Sequence, residues 1–196
     1  MLLKRCVDIA LACLALILLS PILAAAAAAV WLDSGGPVLF RQERVGRRFR
    51  RFHMVKFRTM RGSGGPAVTV SGDARVTRAG RVLRLTKLDE VPQFWNVLLG
   101  DMSIVGPRPE VPQYVEMFRQ RYARVLTVRP GITDLASVRF RHEEEILAGS
   151  REPLAEYTER VLPAKLDLAE EYVRTHSVLG DFAILFRTAA ALLRGH

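Results

Sequence analysis

From Ile9 to Leu32 the chain runs for 24 residues without a charge. Wound as one straight α-helix, such a run would reach about 36 Å, enough to cross the hydrocarbon core of a bilayer. Ser20-Pro21 falls at its middle. A proline there removes one backbone hydrogen bond and presses on the preceding turn, so the sequence predicts a kink. Each half then has about 12 residues, too short to span alone.

Three readings of this segment compete. It can be a plain transmembrane helix. It can be a secretory signal, with Lys4-Arg5 as the charged region and Ala24 to Ala29 as the cleavage region. Or it can be a helix that enters and leaves on one membrane face. Lys4 and Arg5 precede it, and Arg41, Arg44, Arg47, Arg48, Arg50 and Arg51 follow it. Positive flanks mark the cytoplasmic side, and finding them at both ends favours re-entry over crossing.

Charge narrows the partner. The 196-residue chain has room for one domain with a real core and carries a formal +9. Between Arg41 and Lys87, fourteen Lys or Arg stand against Glu43 and Asp73, a net +12, so the remainder sums to −3. An anionic partner follows: nucleic acid, acidic lipid or a phosphorylated substrate. Cys6 and Cys13, both in the apolar segment, can build neither a disulfide framework nor a zinc site. His53, His142, His176 and His196 lie too far apart for metal-ligand spacing.

Asp89-Glu90 closes the basic segment. Such cationic surroundings predict depressed pKa values for both carboxylates. Adjacent residues do not share a helix face. The pair therefore suits divided roles, one group attacking an electrophile and the other holding a cation. The plainer reading makes Asp89 a helix N-cap and Glu90 a first-turn residue, with Pro92 tolerated there. Further on, Gly106-Pro107-Arg108-Pro109 cannot be helical and presents Arg108 on a stiff, extended loop. Rigid presentation of a guanidinium suits an anion site, and a solvated turn is the alternative.

Other elements read more simply. Asp33 to Pro37 is a turn, Val38 to Gln42 a short strand, Arg44 to Arg48 a basic turn and Phe52 to Met60 an extended segment. Gly62-Ser63-Gly64-Gly65-Pro66 is a flexible loop. Helices are expected over Val76 to Leu88 and Asp89 to Leu99, the second ended by Gly100. Met102 to Val105 reads as a short strand, Glu110 to Arg124 as a helix starting near Val111, and Thr133 to Val138 as a loop or strand. Glu143-Glu144-Glu145 reads as a solvated helix face, and Pro153 to Thr175 as a long helix. Val178, Phe182, Leu185, Phe186, Ala189, Leu192 and Leu193 form one apolar stripe. That stripe is either core packing or the buried side of an interfacial helix with Arg187 and Arg194 toward headgroups.

No dinucleotide or Walker-type glycine loop is present. A carboxylate pair, many arginines and a membrane element fit a pyrophosphate-linked substrate. Arginine and lysine neutralise its charge. A divalent cation on an acidic residue polarises the phosphoryl oxygens, and a carboxylate nucleophile splits the transfer into two steps.

Three runs carry a resemblance: Arg75-Val76-Thr77-Arg78-Ala79-Gly80-Arg81, Leu88-Asp89-Glu90-Val91-Pro92-Gln93-Phe94-Trp95-Asn96-Val97, and Gly100-Asp101-Met102-Ser103-Ile104-Val105-Gly106-Pro107-Arg108-Pro109-Glu110. They resemble the bacterial sugar transferases, the monotopic polyprenol-phosphate phosphoglycosyl transferases, in their small form. Larger members carry extra N-terminal transmembrane segments, which this sequence lacks. The resemblance implies a mainly helical α+β fold with short strands and interfacial amphipathic helices. Residues 1–33 would be a re-entrant membrane helix broken at Ser20-Pro21, and residues 34–196 a single cytosolic catalytic domain at the inner membrane's cytoplasmic face. The implied reaction moves a sugar-1-phosphate from a nucleoside diphosphate sugar, usually a UDP-sugar, to polyprenol phosphate, releasing UMP, as the first membrane step of a glycoconjugate pathway. The resemblance makes Asp89 the nucleophile and Glu90 the Mg²⁺ ligand. Lys56, Arg58, Arg84 and Arg108 would hold phosphates, with Gln93, Arg75 and Arg78 close by. Where the family continues Gly-x-Ala-Gln-Val-x-Gly-Arg after Pro130-Gly131-Ile132-Thr133, this chain reads Asp134-Leu135-Ala136-Ser137-Val138-Arg139-Phe140-Arg141. Arg141 keeps the arginine position among the substrate contacts. The lost glycines and glutamine fit a subgroup with another donor. Oligomeric state stays open.

Two rivals predict other behaviour. A membrane-anchored nucleic-acid-binding module explains the +12 segment by phosphate contacts but gives no reason for Asp89-Glu90 inside it. An exported protein would begin, after cleavage, between Ala25 and Val30.

Overall fold

The computed structural model describes residues 2–62 and 72–193, the last two by backbone alone. The Ser63 to Pro66 part of the glycine-rich loop and Arg194 fall outside the described residues. The architecture is the mainly helical α+β arrangement expected, with two small sheets.

Helix α1, Leu2–Ser34, passes through Pro21 without leaving helical geometry. Pro21 has no N–H to offer the carbonyl of Ile17, one turn back. The Ser20 hydroxyl donates to that same carbonyl at 2.8 Å. The Ser-Pro pair thus repairs the bond that the proline removes, which matters most where no water can do so. Both ends of α1 dock on the same folded body. Near its start, Asp8 accepts from Ser103 Oγ at 2.8 Å and from Ile104 N at 3.2 Å, and Ala12 is buried with Val97 and Met102. Near its end, Ala26 and Val30 pack with Phe57 and Leu83, and Asp33 accepts from Ala79 N at 2.7 Å. Between these contacts Leu14, Ile17, Leu18 and Ile22 are exposed. Length and composition would let α1 cross a membrane.

Strands β1, Leu39–Val45, and β2, Arg51–Phe57, form an antiparallel hairpin, pairing Leu39 with Phe57 and Val45 with Arg51. Arg44 and Val45 therefore belong to a strand, and the basic turn begins at Gly46, where Arg48 and Phe49 take positive φ. Helix α2, Arg78–Leu85, is shorter than its apolar pattern predicts. Thr77 caps it, accepting from Gly80 N at 2.9 Å, and Lys87 at φ 57 stops it. A 3₁₀ turn over Leu88–Glu90 follows, then α3, Gln93–Leu99, ended by Gly100 at φ 90 as expected.

Strand β3, Ser103–Val105, pairs in parallel with β4, Gly131–Thr133. The helix predicted between them breaks at Phe118 into α4, Pro112–Met117, and α5, Arg119–Val125. Thr133 to Val138 was expected to be loop or strand, yet only Thr133 is in a strand. Asp134 caps α6, Leu135–Arg139, accepting from Ser137 N at 2.6 Å. Helix α7, Glu143–Ala148, carries the acidic run, which is ion-paired rather than merely solvated: Glu143 meets Lys165, and Glu144 meets Arg84 at 2.9 Å. Helix α8, Pro153–Glu156, continues through a π-helical turn at Tyr157–Val161 into α9, Leu162–Thr175. Tyr114, Tyr122, Leu147, Leu162 and Leu166 form the core beneath it.

In α10, Val178–Leu193, the predicted stripe divides. Leu185 is partly buried beside Ile184, a core residue outside that stripe, whereas Phe182 and Phe186 are 42% and 78% exposed. Core packing accounts for only one side of the stripe.

Candidate active site

The hairpin, the 3₁₀ turn after α2, and the loop between β3 and α4 converge on the Asp89-Glu90 pair. Lys87 turns the chain sharply at left-handed φ, and the next residues wind as 3₁₀, so the two carboxylates diverge. Asp89 is 6% exposed, and its Oδ1 meets no hydrogen-bond donor among the described residues. It caps nothing: Pro92 occupies the N-cap of α3, and neither helix start draws on a side chain there. The plain helix-cap reading has no bond behind it.

Glu90 receives both arms of the Arg108 guanidinium, Nη2 at 2.7 Å and Nη1 at 3.3 Å. The loop carrying Arg108 is fixed from below. Gly106 N donates to Thr133 O at 3.1 Å, Gly131 N to Pro107 O at 3.0 Å, and Arg108 N to the Asp134 carboxylate at 3.1 Å. Gly106 and Gly131 lie back to back, and a Cβ on Gly131 would fall 2.1 Å from Gly106 N. Two glycines therefore let the loop close onto β4, and the flanking prolines hold it extended.

The carboxylates part company electrostatically. Burial pushes Asp89 up to about 6, and the charge of Glu90 adds to the rise, while Lys56, Lys87 and Arg84 oppose it. Burial alone would raise Glu90 too, but the Arg108 charge and hydrogen bonds outweigh it and hold Glu90 at about 2. The expectation that both are depressed holds for Glu90 and fails for Asp89, because charge density in the sequence says nothing of desolvation. Burial, with Arg44 and Arg108 nearby, brings Lys56 down to about 8, against the pull of Asp89 and Glu90. Glu90 raises Arg108 above its already high ordinary value. Two carboxylates with pKa values pushed apart, beside a lysine close to neutrality, form a pattern typical of catalytic sites.

The other anticipated residues divide. Gln93 lies one turn beyond the pair, 1% exposed, with Nε2 unpartnered among the described residues. Arg84 reaches Thr59 Oγ1 at 3.0 Å and Glu144 at 2.9 Å. Arg58 is turned toward the end of α1, where it binds Ser34 O at 2.9 Å, Ser34 Oγ and Gly36 O at 2.8 Å, and Gly35 O. Arg75 is forked onto Asp73, with Nη2 at 2.6 Å. Arg78 is exposed at the start of α2, and Arg141 is half-buried between α6 and α7. Ser20 and Pro21 face outward at the middle of α1.

Sequence reasoning missed three supports. Asp134 both caps α6 and anchors the Arg108 backbone; an aspartate just before Leu-Ala-x-Val was a readable cap signal. Asn96 ties α3 to β2, accepting from Val55 N at 3.0 Å and donating to His53 O at 2.8 Å. Arg44 clamps Glu110 at 2.8 Å and Pro109 O at 3.0 Å. These last two are long-range and left no local mark.

Such a site belongs to a group-transfer protein acting on an anionic substrate beside an apolar helix. Residues 1–195 match the family described as bacterial sugar transferase, and the chain belongs to that family. It is 41% identical over 196 residues to a UDP-glucose:undecaprenyl-phosphate glucose-1-phosphate transferase of Caulobacter vibrioides, covering 97% of this chain and 69% of that one. It is 38% identical to a UDP-N-acetylgalactosamine-undecaprenyl-phosphate N-acetylgalactosaminephosphotransferase of Aeromonas hydrophila, covering 98% of this chain but 44% of the relative. An exopolysaccharide production protein, PSS, of Rhizobium leguminosarum bv. phaseoli is 39% identical, with 98% and 96% covered.

Proposed function

We propose that this protein transfers a sugar-1-phosphate from a UDP-sugar to undecaprenyl phosphate, in two steps through a phosphosugar on Asp89. The observation that carries this reading is Asp89 Oδ1, buried and without a donor inside a cationic frame. A buried polar atom left unsatisfied is costly, and active sites are where such costs are retained. In the first step an Asp89 carboxylate oxygen attacks the sugar-bearing phosphorus, the bond to the bridging oxygen breaks, and UMP leaves with that oxygen. In the second, an oxygen of the lipid phosphate attacks the same phosphorus and frees the carboxylate. The two named transferases act on different UDP-sugars, so the donor's sugar is left open, in keeping with the altered Asp134 to Phe140 segment.

Lys56 and Arg108 would meet the developing phosphoryl charge. Mg²⁺ fits one feature of the site: Glu90 is a hard, permanently ionised carboxylate, and this cation commonly takes one or two carboxylates with substrate phosphates and water. Glu90 would hold it, sharing its charge with Arg108. When bound, the ion polarises phosphoryl oxygens.

The same reading makes α1 re-entrant at the cytoplasmic face of the inner membrane. Its support is the docking of both helix ends on one body with apolar side chains exposed between them. The decisive assay is UMP release from a panel of UDP-sugars, with and without undecaprenyl phosphate. Release with donor alone, in an amount matching the enzyme, is expected. Salt-sensitive DNA or RNA binding without any turnover would instead favour the nucleic-acid module.

A further inference from the structure

A second cationic centre lies at the far end of α3. Asp89, Glu90 and Gln93 sit by its N-terminal end, whereas the carbonyls of Leu98 and Gly100 at its C-terminal end hold two other arginines. Arg5 Nη2 donates to Leu98 O at 3.2 Å, and Arg129 Nε to Gly100 O at 2.8 Å. Arg47 Nε donates to Thr127 O at 3.0 Å. All three border one shallow open cleft, with Lys4, Asp8 and His176 also on its wall.

The acid and the lysine are already committed. Asp8 accepts from Ser103 Oγ and Ile104 N, and Lys4 Nζ is 2.5 Å from Asp181 Oδ2. The arginines are not: among the described residues no carboxylate lies within ion-pair distance of Arg5, Arg47 or Arg129. Each is oriented by one main-chain carbonyl, which leaves its other donors uncommitted. Arg5 Nη1 is shielded from water and meets no acceptor.

Three like charges round one cleft repel one another, and a buried guanidinium donor without an acceptor is a standing cost. A tetrahedral oxyanion relieves both. It supplies several acceptor oxygens at once, and guanidinium binds it through short, charge-assisted hydrogen bonds. Pre-orientation by carbonyls lowers the ordering cost of binding. We propose that this cleft binds a phosphate group, at a site separate from the transfer centre. The neighbouring Leu2 and Leu3 are 84% and 67% exposed, and a lipid phosphodiester would bring acyl chains to cover them. A free phosphate ion presents the same chemistry to the arginines.

The test compares the full chain with an Arg47→Gln, Arg129→Gln double variant. One arm reconstitutes both in nanodiscs of phosphatidylcholine mixed with phosphatidylglycerol and measures phosphatidylglycerol carried off with the protein by native mass spectrometry. The other titrates inorganic phosphate calorimetrically into protein in phosphatidylcholine nanodiscs. At least one arm is expected to show an affinity loss of about tenfold, a size typical of losing charge-assisted contacts. A loss confined to the first identifies a lipid headgroup, and one in the second a soluble phosphate. Arg151→Gln, exposed elsewhere, should change neither. Each single variant should lose about threefold on its own, so the inference survives misfolding of the double variant as a testable claim. Unfolding midpoint and UMP release should stay at the parent values in the singles. Equal binding by parent and folded variants in both arms overturns the proposal.

Discussion

Arg108 grips Glu90 with both arms of its guanidinium, at 2.7 and 3.3 Å, while its own backbone is pinned to Asp134. One planar fork thereby keeps Glu90 ionised. Arg108→Lys retains the charge but not the fork, so it should not be neutral. We predict a fall in kcat/KM of about tenfold or more, near 1.4 kcal/mol of transition-state stabilisation. Steady-state kinetics on a turned-over UDP-sugar check it, and unchanged constants would reduce Arg108 to a structural support of the loop.

The loop itself depends on Gly106 and Gly131. Gly131→Ala would press a methyl group against the Gly106 backbone, where no flexible side chain can give way. Overpacking of this kind typically costs about 1–3 kcal/mol. Thermal unfolding should show that loss, and UMP release should fall with it as Arg108 is displaced. Normal stability and activity would mean that β4 and the loop separate without consequence.

The pH profile should have two limbs. Asp89 attacks only when ionised, and with its pKa near 6 the UMP burst should decline below about pH 6. Lys56 neutralises phosphate only when protonated, and with its pKa near 8 the rate should decline above about pH 8. Lys56 pulls Asp89 downward, so removing its charge raises Asp89. Lys56→Gln should therefore move the acid limb to higher pH and abolish the alkaline one. An acid limb that stays in place after this change would assign it to another group.

Much of this was legible in the chain, for identifiable reasons. Gly100 as a helix stop, Arg108 on a stiff loop and the apolar α1 depend on local chemistry that a sequence displays directly. The rise of Asp89 was not legible, because it comes from burial, and the turn that carries Asp89 meets β2 only in three dimensions. Arg58 looked like a phosphate ligand beside Lys56, because strand alternation puts residues two apart on one face; but β2 ends at Phe57, and Arg58, just past it, meets the end of α1 instead. The family resemblance supplied the roles of Asp89 and Glu90. Spacing alone had favoured a helix cap.

Topology can be tested without any substrate. In a Cys6→Ser, Cys13→Ser background, Leu2→Cys and Arg50→Cys should both react with a membrane-impermeant thiol reagent from the cytoplasmic side. Opposite-side labelling would establish a spanning helix. Pro21→Ala restores an N–H for the Ile17 carbonyl, which Ser20 now satisfies, and should shift the population toward spanning.

The division of labour between Asp89 and Glu90 is the sharpest test. If Asp89 is the nucleophile, donor alone should yield a burst of UMP and a phosphosugar mass adduct on that residue, as two-step chemistry requires. Asp89→Asn should abolish both. It should also stabilise the fold. A carboxyl raised from 3.8 to about 6 is destabilising once ionised: the penalty is absent below about pH 4, grows as pH rises, and is complete above about pH 6. The neutral amide escapes it, a gain on the order of 2 kcal/mol at pH 7 that should vanish near pH 3.5. A helix-capping aspartate predicts the opposite sign, a loss of about 1 kcal/mol with chemistry intact. Glu90→Gln behaves differently again. It leaves the half-buried Arg108 without its carboxylate, so it should lose stability, weaken any Mg²⁺ dependence and slow both half-reactions while the adduct still forms on Asp89. A fully active Asp89→Asn protein would end the mechanism. An adduct on Glu90 would keep the two steps and reverse the roles.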